Sequence, residues 1–383
     1  MKTEKLLHIV DDEKFIDLAI KQFEKVAPGA NLFAVLVNSS SHELQYINQK
    51  GKVKLIWDLE KQLNLYNYDA IFIHYMTEEK CKIINAAPLN LPVIWLFWGQ
   101  DAQKLFMDRS YKEKTRKLIK DLLGWNEYLY PYTNWIRRLF LPYKERGRAM
   151  KRINFCAPVI SNELELMNDR LSLNLEFIDF SYGSLDDFVT EAIRDLEISG
   201  PNILVGNSST AACNHIESFD FIKENLDWKH RKIIVPLSYG SKDYRNEILK
   251  IGQEYFGENF MPLTDFLPIQ KYNEFLGSCS LAIMNHNRQQ ALGNIIGLLW
   301  LGTKIIMDKN NPLFQFLTSK GFIIQSVQAL ASDRIDSHSG SLGIKKRNHN
   351  RKLLQLYYSD EVVLEKTKKL VDAFVVCETA FSQ

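Results

Sequence analysis

Short apolar runs alternate with amphipathic stretches along most of the chain. Leu6-Leu7-His8-Ile9-Val10 is apolar apart from its histidine, as a strand buried on both faces would be. Phe15, Ile16, Ala19, Phe23 and Val26 then recur at helical spacing until Pro28-Gly29 stops them. That is one strand-helix unit. Further short runs, β-branched or aromatic, lie at 32–37, 53–57, 70–75 and 93–98. None shows the polar alternation of a half-exposed sheet, so the pattern predicts a parallel sheet covered on both faces.

The pattern restarts after Ser199-Gly200-Pro201, which follows an acidic helical stretch at 185–196. Strands are expected at 202–206, 232–236, 281–285, 304–308 and 322–325, with helices at 214–225, 244–255, 269–276, 294–301 and 312–317 between them. The fold class is therefore α/β, with two doubly wound, Rossmann-like domains facing each other across a cleft. The expected division is 1–198, 199–350 and a C-terminal pair of amphipathic helices at 351–383 that packs back across the domains. Residues 337–343, rich in Ser, Gly and His, read as a loop.

The 383 residues, 46% apolar and 25% charged, exclude a disordered or fibrous chain and suffice for two cores. A net charge of +2 makes no whole-molecule case for nucleic acid as a partner. The five cysteines are scattered and never form a C-x-x-C pair, which argues against a disulfide framework or a zinc site and favours a reducing compartment. Met1-Lys2-Thr3-Glu4-Lys5 leads into no signal-peptide core, and no stretch reaches the roughly 18 apolar residues of a membrane span.

Three loops carry candidate chemistry at the carboxyl ends of expected strands, where open α/β sheets bind ligands. In the first, Gly206 is followed by Asn207, Ser208, Ser209 and Thr210 and then by Asn214-His215 at a helix start. A glycine that lets a ligand approach the backbone, with hydroxyl and amide side chains after it, suits phosphate oxygens. An ordinary helix cap accounts for the same residues. In the second, Asn285-His286-Asn287-Arg288-Gln289-Gln290 precedes Gly293-Asn294 and an apolar helix, and Arg288 with the helix amides could hold a diphosphate. No metal-ligand cluster accompanies it, so its positive charge is expected from protein and no cofactor is expected. In the third, Trp95-Leu96-Phe97-Trp98-Gly99-Gln100-Asp101 sets a carboxylate among aromatic rings, where a raised pKa would suit a general base; capping the next helix is the bland alternative. His8 and His74 reach the same sheet edge as candidate acceptor contacts, with a core role the commoner fate of a lone strand histidine.

Between Tyr111 and Arg152 twelve Lys and Arg residues stand against four acidic ones, a local net of +8. Trp125, Tyr128, Tyr130, Tyr132, Trp135, Phe140 and Tyr143 are interleaved with them, and Trp125, Trp135, Arg137 and Arg138 are the candidate membrane contacts. Basic residues mixed with aromatics fit an anionic bilayer surface; a solvated basic face and RNA binding are the alternatives.

The segments 203–208 with Asn214-His215-Ile216, Val235-Pro236-Leu237-Ser238-Tyr239-Gly240, and Arg288-Gln289-Gln290-Ala291-Leu292-Gly293 resemble, in order and spacing, the bacterial TDP-4-acetamido-4,6-dideoxygalactose (Fuc4NAc) transferases of glycosyltransferase family 56, which complete the repeat-unit lipid of enterobacterial common antigen. The likeness is strongest over 202–316; in the first half, 95–101 is similar to the family's aromatic W-G-x-D segment and 135–139 to its basic stretch. The resemblance implies a metal-independent GT-B enzyme at the cytoplasmic face of the inner membrane, held there peripherally. It would take a TDP-sugar as donor and an undecaprenyl-diphosphate-linked oligosaccharide as acceptor. Asn207, Ser208, Ser209, His215, Arg288, Gln289, Gln290, Gly293 and Asn294 would lie near the diphosphate and sugar, and Tyr239, Thr264 and Leu267 near the base. His8, His74 and Trp98 would meet the acceptor, with Asp101 as the catalytic base. The chain departs from the family where Asp11-Asp12-Glu13 replaces a glycine-containing loop and where the Q-Q-G-x-G run reads Gln289-Gln290-Ala291-Leu292-Gly293. A related amino or 6-deoxy sugar on TDP or UDP is the nearest variant of this reading. A nucleotide-sugar-binding or partner protein without catalysis is the alternative on the same fold.

Overall fold

A computed structural model describes residues 5–99, 101, 110–128, 141–171, 173–332 and 340–380. The chain divides into two compact units, one made of Met1–Lys104, Thr133–Asp187 and Tyr358–Gln383, the other of Leu105–Tyr132 and Phe188–Tyr357.

The first unit is built on a parallel sheet. Its strands are β1 (Leu6–Val10), β2 (Asn31–Leu36), β3 (Val53–Ile56), β4 (Ala70–His74), β5 (Val93–Phe97), β6 (Phe155–Pro158) and β7 (Glu176–Phe177), in the order β3-β2-β1-β4-β5-β6-β7. β1, β4 and β5 are buried at every position, which explains their unbroken apolar runs. Helix Ile16–Val26 lays Ile16, Ala19, Ile20 and Phe23 on this core, and Leu370 and Val371 of the C-terminal helix Asp360–Ala380 join the same cluster. Helix Glu78–Ala86 starts where the Thr77 side chain accepts from the Lys80 amide. Asp12 accepts from the amides of Gln45, Tyr46 and Ile47, and Asp17 from those of Asn48 and Gln49. Two of the acidic residues after β1 thus fasten the loop that follows β2.

The second unit repeats the plan with β8 (Asn202–Val205), β9 (Ile233–Pro236), β10 (Phe260–Leu263), β11 (Cys279–Met284), β12 (Lys304–Met307) and β13 (Gln325–Ser326), ordered β10-β9-β8-β11-β12-β13 and parallel throughout. In both sheets the strand order reverses beside the first strand, the topological switch point at which doubly wound sheets hold ligands. Ser241 caps helix Lys242–Phe256, and Asn311 with Pro312 opens helix Pro312–Ser319.

The observed division departs from the sequence expectation in two places. The units change over at Asp187–Phe188 instead of near Gly200, because the acidic stretch forms two short helices, Leu185–Phe188 and Glu191–Arg194, and Ile193 of the latter packs within the second unit. Helix Glu113–Tyr128, read as part of the N-terminal domain, belongs to the second unit. Lys112 amide donates to Asn214 Oδ1 at 2.9 Å, Thr115 donates through its amide and hydroxyl to Glu217 at 2.9 and 2.6 Å, and Lys112 Nζ pairs with Asp308 at 2.5 Å. The expected C-terminal helices are Ile344–Tyr358, whose residues up to Tyr357 lie in the second unit, and Asp360–Ala380 in the first. Among the described residues no helix is long and apolar enough to cross a membrane.

Candidate functional site

In the second unit, the loops after β8 and β11 are tied together by side chains. Gly206 stands at φ +65°, and a Cβ there would lie 2.9 Å from His215 Nε2 and 3.2 Å from the Cys213 Cβ, so the position needs glycine twice over. Asn207 follows, 7% exposed, and donates through Nδ2 to the Tyr239 hydroxyl at 3.1 Å. Its Oδ1 accepts from Gln290 Nε2 at 2.7 Å. Ser209 is spent on the scaffold: its Oγ donates to the Tyr239 carbonyl at 2.7 Å, and its backbone pairs with Gly240. Ser208, 1% exposed, shares a hydrogen bond with Thr210 Oγ1 at 2.9 Å. His215 is fully buried at the start of helix His215–Asn225, with Nδ1 3.2 Å from the Tyr244 hydroxyl. Burial lowers its pKa, so it is neutral.

The loop after β11 delivers Arg288, Gln289 and Gln290 to the first turn of helix Leu292–Leu301, whose amides have no side-chain cap. Ala291 precedes that turn at φ 64° and ψ 28°, a left-handed conformation costing a side-chain-bearing residue about 1 kcal/mol. Strain of this kind persists where surrounding structure imposes it and gathers at ligand sites. The first-turn amides, including those of Gly293 and Asn294, carry the positive end of the helix dipole, and Arg288 adds a full charge on the same loop. Gly293 is confined by packing, since a Cβ there would meet the Phe188 ring at 2.9 Å. Gln289 is buried, while Arg288, Gln290 and Asn294 are half-buried. Asn214, at φ 49°, joins both loops to the segment before helix Glu113–Tyr128 by donating to the Asn285 carbonyl at 3.0 Å and accepting from Lys112.

Beside this polar centre, Tyr239 and Phe266 are 46% and 63% exposed, with rings 19° from parallel and centroids 6.5 Å apart. Thr264 and Leu267, half-buried, flank Phe266. Phe266 belongs to the Thr264–Leu267 loop expected near the base, though a single aromatic in a loop has no periodicity to single it out; Cys213, whose Sγ lies 3.4 Å from Gln290 Nε2, carries no signal in the sequence for this place.

In the first unit, Asp101 is 5% exposed. Its Oδ2 accepts from Trp95 Nε1 at 2.8 Å and the Met76 amide at 3.1 Å, and its Oδ1 from the Trp98 amide at 3.2 Å. Desolvation outweighs these donors and the nearby Arg146 charge, and pushes the carboxyl up to about 6. Trp98 is half-buried, its ring against Phe15, Tyr75 and Tyr182. Tyr75 has φ 62°, and its carbonyl and that of His74 accept from the fully buried Lys80 ammonium, which also holds Asp11 at 2.6 Å.

His8 and His74 are fully buried and face no surface. His8 lies between the stacked rings of Phe33 and Phe72. Asn31 Nδ2 donates to Glu24 and the Ala27 carbonyl, which turns its Oδ1 toward His8 Nε2 at 3.2 Å. His8 therefore carries its proton on Nε2 and accepts at Nδ1 from His74 Nε2 at 3.1 Å; His74 Nδ1 in turn accepts from the Tyr182 hydroxyl at 2.7 Å. The pair orients Tyr182 from within the core. Trp125 lies on helix Glu113–Tyr128, and Trp135, Arg137 and Arg138 fall outside the described residues.

Residues 186–342, nearly all in the second unit, match the family described as 4-alpha-L-fucosyltransferase glycosyl transferase group 56. Over its length the chain is similar in fold to a glycosyltransferase from Rickettsia africae (11% identity, TM-score 0.61, covering 98% of this chain and 99% of that one). Sucrose-phosphate synthase from Thermosynechococcus elongatus matches at 10% identity and TM-score 0.61, covering 97% and 99%. HepE from Anabaena, solved with UDP and glucose, matches at 9% identity and TM-score 0.60, covering 97% and 100%. The fold is GT-B.

Proposed function

We propose, from the likeness of residues 186–342 to glycosyl transferase group 56, that the chain moves a deoxyamino sugar, Fuc4NAc or a close relative, from a TDP-linked donor to an undecaprenyl-diphosphate-linked glycan in surface polysaccharide synthesis. The family match and the GT-B fold support glycosyltransferase function at the coarser level. The observation that carries the donor assignment is the strained Ala291, which opens helix Leu292–Leu301 beside Arg288. That arrangement presents amide donors and a guanidinium to one diphosphate, so the charge of the leaving nucleotide is met by protein groups and the reaction proceeds without a bound metal. Tyr239 and Phe266 offer exposed ring faces to the nucleobase. Asp101, with its carboxyl near 6, takes the acceptor hydroxyl proton as the new glycosidic bond forms and the nucleoside diphosphate departs with the bonding electrons. Leu122 and Leu123, exposed on helix Glu113–Tyr128, and the basic stretch that follows rest on the anionic cytoplasmic face of the inner membrane.

Calorimetric titration with TDP, UDP and GDP in EDTA tests the donor site. Micromolar binding of TDP is the expected result. Binding of none of the three sinks the reading, and binding that requires added metal sinks its metal independence. The deep burial of Asp101 is the one observation favouring a sugar-nucleotide-binding protein without catalysis. Transfer to a polyprenyl-diphosphate-linked glycan separates the two.

A further inference from the structure

The side-chain amide of Gln290 has two ends with different surroundings. Its Nε2 donates to Asn207 Oδ1 at 2.7 Å and lies 3.2 Å from Thr210 Oγ1 and 3.4 Å from Cys213 Sγ. These acceptors fix which end faces the Gly206 loop, because Asn207 uses its own Nδ2 on the Tyr239 hydroxyl and has only Oδ1 left to offer. Gln290 Oε1 is therefore turned the other way. It is buried and has no hydrogen-bond partner among the described residues. A buried carbonyl oxygen in that condition destabilises the fold by about 1–3 kcal/mol unless something donates to it.

Gln290 is not alone in this. Asn285, 1% exposed, has an unpartnered Oδ1 on the same loop, and fully buried His286 has two unpartnered ring nitrogens. Across the Gly206 backbone, His215 Nε2 is also buried without a partner. The loop thus sets acceptors next to the donors that suit a diphosphate. A diphosphate at neutral pH carries no N–H or O–H and cannot satisfy a carbonyl oxygen. A sugar can, through a hydroxyl or an acetamido N–H.

We propose that Gln290 Oε1 accepts a hydrogen bond from one hydroxyl or amide N–H of the donor sugar, which makes Gln290 the residue that selects a sugar bearing that group over one lacking it. This rests on the donor-site reading above. Asn207, Thr210 and Cys213 hold the amide in place for the task, so its orientation is settled before the donor arrives.

The test is calorimetry on the full chain, wild type and Gln290→Leu. The ligands are TDP, TDP-linked 4-acetamido-4,6-dideoxygalactose, and analogues in which one hydroxyl is replaced by hydrogen or the amide N–H by N-methyl. The wild type is expected to bind one analogue about 10- to 100-fold more weakly than the parent sugar nucleotide. Gln290→Leu should bind parent and analogue alike, so that the ratio of the two affinities falls to about one. Equal weakening of every ligand, TDP included, would assign Gln290 to loop support or to the nucleobase and overturn the proposal. Discrimination that survives in Gln290→Leu also overturns it, as does a wild type that binds TDP yet discriminates no analogue. Failure of the wild type to bind TDP at all removes the donor site, and this proposal with it. Gln290→Met, closer in shape to glutamine, replaces Gln290→Leu with the same expectations should the latter unfold.

Discussion

Trp95, on a strand paired on both sides within the first sheet, donates its indole N–H to Oδ2 of Asp101 across 2.8 Å, and both side chains are buried. The bond holds the carboxylate at the end of β5, and desolvation holds its pKa near 6.

That shift has a definite sign. A carboxyl raised from the ordinary 3.8 to about 6 binds its proton more tightly folded than unfolded, so folding takes up a proton between about pH 4 and 6. This contribution to stability is full below about pH 4 and disappears as pH rises through 6, a change of about 3 kcal/mol. Asp101→Asn should abolish that slope, read from urea midpoints of the first unit at pH 4 to 7. It should also lower turnover by about two to four orders of magnitude with TDP affinity unchanged. An unaltered turnover would remove Asp101 from the chemistry.

The histidines beneath it titrate in the opposite sense. Burial pushes His8 down to about 3 and His74 well below the usual imidazole value, so both stay neutral as pH falls past 6.5. Because the unfolded chain takes up those protons first, the first unit loses stability as pH drops from about 6.5 toward 3. Nitrogen-15 shifts should show both rings protonated on Nε2 and unchanged between pH 7 and 5. A titration midpoint near 6.5 in either ring would break the chain from Asn31 to Tyr182.

Much of this was legible in the amino-acid sequence. Leu6–Val10 coincides with the first apolar run, and the strands expected at 53–57, 70–75 and 93–98 end within one residue of the observed ones. Buried parallel strands are continuous apolar runs, which is why they can be read without an alignment. The amino-acid pattern does not reveal β6, β7 or β10: β7 is two residues long, and β6 (FCAP) and β10 (FMPL) hold no β-branched residue beside their proline, unlike β9 (IIVP). Helix Glu113–Tyr128 groups with the second unit, apart from the strands that precede it in the chain, for a reason the local pattern does not carry. Its partners Asn214, Glu217 and Asp308 lie 102 to 196 residues away, and such pairings leave no local trace. For His8 and His74 the bland alternative of a core role describes their surroundings, since each ring nitrogen has a partner inside the fold.

The ion pair that fastens that helix yields a third prediction. Burial alone would raise the Asp308 carboxyl, but the hydrogen bond from Lys112, the Asn310 amide and the Lys112 charge bring it below the usual value. Lys112→Met would leave a carboxylate that is 4% exposed without its cation. Removing one partner of a buried pair destabilises by about 3–5 kcal/mol. Hydrogen exchange of the amides at 113–123 should accelerate strongly in this variant and less in Lys114→Met, whose pair with Asp220 is more exposed. Equal exchange in the two would mean that Asn214 and Glu217 suffice to hold the helix.

Ala291 provides a prediction of opposite sign, an increase in stability. Its left-handed backbone is one that glycine adopts without steric cost. Ala291→Gly should remove about 1 kcal/mol of strain, offset in part by the greater freedom glycine gives the unfolded chain. Ala291→Val should destabilise by more than glycine stabilises, because a β-branched side chain is poorly tolerated at positive φ. If the conformation serves to aim the first-turn amides of helix Leu292–Leu301, Ala291→Gly keeps TDP affinity, whereas Ala291→Val loses it along with stability. Urea denaturation of the second unit and TDP calorimetry read the two effects separately. A valine variant that is destabilised yet binds TDP as well as wild type would show that the strained residue shapes the fold and not the phosphate site.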